Sequence, residues 1–244
     1  MFDRKQFEND KRENANAQDE DENLKKIALD FVIESDKYSY GYQWTWLDMP
    51  IIQLPQDILV TQEIIWKNKP DVLIETGIAW GGSIVFYASI LQLLGEGNVI
   101  AVDKVLPDKN KKEIMKYPFS NRINLIEGSS VEDDVVSQIK SFIKPDDKVM
   151  LLLDSNHTHD HVYQELCLYA PLVTKGQYLI VSDTIVEDIP EQSHRPRPWG
   201  HGNNPKTALN AYVNESNRFE EDKYINSKLL TTFTPNGYMK CIKD

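Results

Sequence analysis

An α/β fold with a mostly parallel sheet is what this 244-residue sequence predicts, and three features predict it. Short apolar runs rich in β-formers recur through the middle of the chain. Segments of helical period separate them. The most apolar run, VMLLLD at 149–154, suits a central strand buried on both faces. Alternation of this kind builds βαβ units.

Taken in order, residues 3–22 carry four basic and eight acidic side chains, which predicts a solvated helix or charged arm over 1–36. Tyr38-Ser-Tyr-Gly-Tyr-Gln-Trp-Thr-Trp46 then turns abruptly aromatic. Rings so dense must pack on the domain or over a ligand. LPQDILVTQEIIWKNK (54–69) has helical period and stops before Pro70. VLIET (72–76), NVIAVD (98–103), INLIEG (123–128), VMLLLD and QYLIVSD (177–183) read as strands. Helices are expected at 83–94, 108–117, 131–143 and 160–173 between them. Residues 186–205 hold four prolines and read as a long ordered loop, a candidate lid. A helix near 206–216 and two late strands, LLTTF (229–233) and GYMKCI (237–242), finish the chain. The turn Thr234-Pro-Asn-Gly237 is short enough to join those two as a hairpin. The expected whole is a seven-stranded sheet with a C-terminal antiparallel hairpin, in a single domain over 37–244.

Composition narrows the function. Hydrophobic residues at 41% fill one sizeable core, and charged residues at 27% match an ordinary globular protein. Lys and Arg number 27 against 38 Asp and Glu, so 27 − 38 = −11, which gives no reason to expect a nucleic-acid partner. The longest apolar-rich stretch, 84–94, is short of the roughly 20 residues that span a bilayer. The first residues lack the apolar core of a signal peptide, so a soluble cytoplasmic protein is expected. Cys167 and Cys241 read as free buried thiols. Homo-oligomer formation is left open.

In an open parallel sheet, ligands collect at the carboxyl ends of the strands. Those ends carry Glu75, Asp103, Glu127, Asp154 and Asp183. A rim so acidic suits a cationic ligand, polyol hydroxyls or a metal, and would repel a polyphosphate. The first turn, Glu75-Thr-Gly77-Ile-Ala-Trp-Gly81-Gly82-Ser83, departs from the dinucleotide spacing GxGxxG. A carboxylate there pairs with an ammonium or sulfonium, such as that of S-adenosylmethionine; a purely structural tight turn is the alternative. Asp103 can accept hydrogen bonds from ribose hydroxyls, or cap a helix. Three of the five histidines fall within five positions, at His157, His159 and His161. His159 and His161 read as solvated or capping residues. Asp154 and His157 sit at a strand tip, where a histidine of near-neutral pKa suits a general base. Asp154 and Asp183, ending neighbouring strands, could together face a Mg²⁺ ion.

ETGIAWGGS, the Asp ending the second strand, LLLDSNH, YLIVSD and RPWGHGNNPKTAL resemble the cephalosporin hydroxylase/rhamnosyl O-methyltransferase family from about Tyr38 onward. The resemblance implies the Rossmann-like class I methyltransferase fold and S-adenosylmethionine as cofactor. Glu75, Gly77, Gly81 and Ser83 would hold its methionine part, Asp103 its ribose, and Ser129 or Ser130 its adenine side. It further implies Asp154 as a metal ligand followed three residues later by the base, His157. Metal-assisted relatives carry two consecutive ligands after the next strand, whereas this chain has Ser182-Asp183.

The expected activity is S-adenosylmethionine-dependent O-methylation of a sugar or other small hydroxylated acceptor, in surface-polysaccharide or natural-product biosynthesis. Trp44, Trp46 and His201 are the expected substrate contacts, with the aromatic segment and the loop 186–205 as the acceptor wall. A NAD-dependent oxidoreductase is disfavoured, because Tyr163-Gln-Glu-Leu-Cys167 offers no Tyr-x-x-x-Lys pair. A metal-dependent hydroxylase would draw on the histidine cluster, and a non-catalytic cofactor-binding module on Ser182.

Overall fold

The computed structural model describes residues 3–243; residues 1 and 2 of the expected arm and residue 244 of the expected domain lie outside the described residues. The charged N-terminal segment forms two helices. Asp3 caps α1 (Arg4–Glu20) and Asp21 caps α2 (Glu22–Asp36), each carboxylate accepting first-turn N–H groups. The aromatic segment then folds into a small antiparallel pair, β1 (Trp44–Trp46) and β2 (Met49–Ile51). Leu47 and Asp48 adopt positive φ in its two-residue turn.

Next come α3 (Pro55–Asn68), opened by a proline at its first position, and β3 (Val72–Thr76). They are followed by α4 (Gly82–Leu94), β4 (Asn98–Asp103), α5 (Asp108–Ile114), β5 (Ile123–Glu127) and α6 (Asp133–Ser141). Then come β6 (Val149–Leu153), α7 (His159–Tyr169), β7 (Tyr178–Val181), α8 (Pro205–Glu215), β8 (Phe219–Glu221), α9 (Lys223–Lys228) and β9 (Tyr238–Cys241). The seven-stranded sheet runs β5-β4-β3-β6-β7-β9-β8, with β9 antiparallel to both its neighbours. Strand order reverses between β3 and β6, so the crevice for a ligand opens above those two tips.

Side-chain alternation divides the core. Leu73, Met150 and Leu152 face the layer of α3 and α4, whereas Val72, Ile74, Leu151 and Leu153 face α6, α7 and α8. All five residues of β6 are buried, worth roughly 1.5–3 kcal/mol for each large apolar side chain removed from water. The same period turns Glu75 toward α4, because it lies two residues beyond Leu73.

Two expectations need correction. The C-terminal antiparallel pair is β8 with β9, and residues 229–233 are not a strand. Asp57 of α3 explains the difference. Its buried carboxylate accepts hydrogen bonds from the Thr232 hydroxyl, from the Phe233 N–H at 2.9 Å and from the Tyr238 hydroxyl at 2.9 Å. Those bonds pull the segment onto α3 and away from the sheet edge. Cys167 is exposed, because it lies on the outer face of α7, and only Cys241 is buried. Of the two forms expected for the N-terminal segment, the helical one is present, and it is docked: the Gln18 amide donates to the Ser227 and Lys228 carbonyls, at 2.6 and 3.1 Å.

Candidate active site

A cleft of about 600 Å³ opens at the reversal of strand order, lined at its base by Gly77, Ser83, Asp154, His157 and Asp183. Gly77 lets the two halves of the crevice meet. Its φ is +82°, and a Cβ there would stand 2.1 Å from the Asp154 carbonyl oxygen. Only glycine tolerates both conditions. The turn after β3 therefore lies directly against the tip of β6.

Asp103 braces that turn from the neighbouring strand. Its Oδ2 accepts the N–H groups of Ile78 and Ala79 at 3.0 and 3.1 Å, and its Oδ1 accepts that of Val105 at 3.1 Å. Glu75 is fully buried and reaches the cleft only through others. Its carboxyl accepts the Ser83 hydroxyl at 2.7 Å and the Tyr87 hydroxyl at 3.0 Å. Burial pushes the Glu75 pKa up to about 8 against those two bonds. Gly82 and Ser83 open α4 and line the cleft. Gly81 packs on Ile114 behind them.

At the tips of β6 and β7, ligand atoms of Asp154, His157 and Asp183 lie within 4.8 Å of one another. His157 Nδ1 is 2.7 Å from Asp183 Oδ2, a close contact without linear hydrogen-bond geometry. His157 Nε2 stands 3.6 Å from Asp154 Oδ1. Burial is the largest influence on the His157 pKa and lowers it, but the Asp183 charge and contact, the Glu165 charge and the Asp154 backbone together outweigh it, and the net shift is upward. Burial and then the Asp183 charge push Asp154 well above the usual carboxylate range. Asp183 is held low: burial opposes this, but His157 and then Arg195 and Arg197 prevail. Asp183 also takes a left-handed backbone conformation, with φ +55°.

The histidine cluster disperses. His159 Nδ1 meets the Thr207 hydroxyl at 2.8 Å, and His161 Nε2 meets the Ser130 hydroxyl at 3.1 Å. Both hold α7 to its neighbours instead of being solvated. Ser130 is thereby turned toward α7, and the Ser129 carbonyl accepts the Glu132 N–H.

The expected substrate contacts Trp44, Trp46 and His201 lie away from the cleft. Trp46 donates to the Ser89 hydroxyl at 3.0 Å and packs on Phe86, while Trp44 packs on Tyr40; neither lines the cleft. Both rings are spent covering the core. His201 stands outside the cleft beside Glu187, its side chain 80% exposed. The wall is built from the expected loop 186–205 with Arg195, Arg197 and Trp199, from Tyr42 of the aromatic segment, and from α2, which was not expected. Trp199 lies 4.8 Å from the His157 ring. One carboxylate, Asp36 at the end of α2, ties the loop down. It accepts from Gln192 at 2.7 Å and Arg195 at 2.9 Å, and pairs with His194 at 2.8 Å. Glu187 pins the other end through the Gly202 N–H and the Asn204 amide. No sequence signal marked Asp36 or Asp57. The run Arg195-Pro-Arg-Pro-Trp199 could have been singled out as a stiff segment carrying charge.

The residues present fit the groups expected to bind. Gln53 lines the cleft with a buried Oε1 that has no donor among the described residues, which suits a ligand ammonium. Two carboxylates and an imidazole form a donor set suited to a divalent cation.

The model of the rhamnosyl O-methyltransferase/CmcI family matches residues 37–242. A rhamnosyl O-methyltransferase of Mycobacterium tuberculosis (strain H37Rv) is 30% identical over 216 residues, covering 84% of this chain and 83% of that protein. Among solved structures, the apo form of CmcI-N160 has a TM-score of 0.58 at 14% identity, covering 83% of this chain and 78% of its own. The structure cmcI-D160 Mg-SAM has a TM-score of 0.57 at 13% identity, over 82% and 77%. These structures share the class I methyltransferase fold with this chain. No helix among the described residues is long and apolar enough to cross a membrane.

Proposed function

The chain belongs to the rhamnosyl O-methyltransferase/CmcI family, and from that premise we propose that its cleft transfers a methyl group from S-adenosylmethionine to a hydroxyl of a sugar or similar small acceptor. The observation that carries the reading is the convergence of Asp154, His157 and Asp183 beside the Gly77–Ser83 turn. The catalytic unit is residues 37–244, with a lid at 186–205 and α2 as an added wall.

S-adenosylmethionine supplies an electrophilic methyl group on a sulfonium. The chain's own work is to bind, align and accept a proton. The turn braced by Asp103, together with Ser83 and Gln53, forms the cofactor side. His157 is the general base: the Asp183 charge beside Nδ1 favours the imidazolium, and Nε2 is the nitrogen left to accept the proton of the acceptor hydroxyl. Asp154 and Asp183 would hold a Mg²⁺ ion, whose hardness favours their oxygens over the imidazole. Trp199, packed next to the His157 ring, walls the acceptor side of the cleft.

A metal-dependent hydroxylase finds less support. Its common facial triad is two histidines and one carboxylate, whereas His159 and His161 are bonded elsewhere. The test is incubation with S-adenosylmethionine labelled in the methyl group and a panel of sugars and glycosides. Labelled methyl ether is the expected product. Tight binding of the cofactor with no transfer to any member would instead favour a non-catalytic module.

A further inference from the structure

We propose that the acceptor is an anionic sugar, bearing a carboxylate or phosphate, and that Arg195 and Arg197 of the lid recognise that group. The proposal rests on the methyl-transfer reading and specifies its substrate.

The chain carries a net charge of −11, and its cleft base holds two carboxylates. Over this acidic base the lid nevertheless places two guanidinium groups. Arg195 is fixed by Asp36 and by the Tyr42 hydroxyl, the latter at 2.9 Å. Its Nε is buried and has no hydrogen-bond partner among the described residues. An unmet buried donor on a charged group is unfavourable, and an incoming oxygen anion would satisfy it. Arg197 is exposed and has no carboxylate within ion-pair distance among the described residues. It lies over the Trp199 ring, 5.4 Å from its centroid. Trp199 in turn lies on His157, so Arg197, Trp199 and His157 form a column from the cleft mouth to the base.

Sequence makes the arrangement stiff. Each arginine precedes a proline, which confines its backbone to extended conformations. Both arginines line the cleft. A neutral acceptor would leave Arg197 without an anionic partner at the mouth. An acceptor with an anionic group beyond its reacting hydroxyl engages them with charge-assisted hydrogen bonds, in the planar geometry that guanidinium offers to carboxylate and phosphate alike. The acidic strand tips thus lie beneath a mouth that carries two guanidinium groups.

Calorimetry on the full chain, with and without S-adenosylhomocysteine, tests the proposal with three probes: methyl rhamnoside, methyl glucuronoside and uridine diphosphate glucose. At least one charged probe should bind about tenfold or more tightly than the neutral one, and its advantage should shrink with added salt. The charged probe that wins identifies carboxylate or phosphate. Arg197→Ala should abolish the advantage and Arg197→Lys should keep part of it, with the thermal midpoint of each variant serving as the control for folding. Equal affinities, no binding of either charged probe, or an undiminished advantage in Arg197→Ala overturns the proposal. So does an Arg197→Ala effect that falls on S-adenosylhomocysteine itself. Failure of S-adenosylhomocysteine to bind would overturn the methyl-transfer reading instead, and the probes titrated alone would still judge the arginines.

Discussion

His157 Nδ1 lies 2.7 Å from Asp183 Oδ2, so the acid ending β7 steadies the histidine that follows β6. Neighbouring parallel strands end at the same level, and this register brings the two side chains together. The pair leaves Nε2 as the nitrogen available to a substrate proton.

Replacing His157 by Gln should lower turnover by about 10²–10⁴ and leave S-adenosylhomocysteine affinity close to wild type. A base must be neutral to act, and the His157 pKa is raised. The acidic limb of the pH–rate profile should therefore lie above the ordinary histidine range. Asp183→Asn removes the charge that raises it and leaves burial, which lowers it, so the limb should move toward lower pH. A limb that stays put in Asp183→Asn would assign the titration to another group.

Mg²⁺ should bind weakly, because Ser182 stands where metal-assisted relatives carry an acid. The Asp154 carboxyl is held well above its usual range by burial and then by Asp183, so the ion has to displace a proton. Affinity should thus rise with pH. Calorimetric Mg²⁺ titrations at mildly acidic and mildly alkaline pH measure the difference, and Asp154→Asn should abolish binding. Full methyl transfer in chelator would mean that both carboxylates act on the acceptor alone.

Glu75 titrates near 8 in the folded protein against an ordinary value of 4.5. Between those values the folded state keeps a proton that the unfolded chain releases, so stability falls as pH rises through that window. Glu75→Gln should flatten the slope of thermal midpoint against pH there. Asp103→Ala frees the Ile78 and Ala79 N–H groups of the turn and should weaken S-adenosylhomocysteine by about 1–3 kcal/mol. An unchanged affinity in Asp103→Ala would remove the braced turn from the cofactor site.

Asp36→Ala cuts the lid loose from α2. Hydrogen exchange over residues 189–199 should accelerate, and the acceptor KM should rise about tenfold while kcat changes less. Unaltered exchange in that segment would show that Glu187 alone holds the lid.

The central sheet was legible in the sequence because each strand announces itself locally. VLIET and VMLLLD are apolar runs whose neighbours along the chain already require burial on both faces. The acids at or beside the strand ends, Glu75, Asp103, Asp154 and Asp183, were legible for the same reason, since a parallel sheet brings its carboxyl ends to one edge. Asp154 and His157 could be paired from their spacing across a single turn.

Everything that depends on contacts between distant segments was decided by the tertiary structure. LLTTF has a strand's composition, yet Asp57, 175 residues away from Thr232, draws that segment out of the sheet. Trp44 and Trp46 carry the ring chemistry expected of an acceptor wall, but their environment is the back of α4. Trp199 takes the place beside His157 instead. Asp36, one more acid in a charged helix by sequence, gathers three lid side chains because α2 packs across the cleft. The sequence by itself determined the strands and the acids at their tips, since periodicity and register are properties of neighbouring residues. Which side chains close over those acids is set by burial and charge pairing between segments 150 or more residues apart, and only the folded chain brings those together.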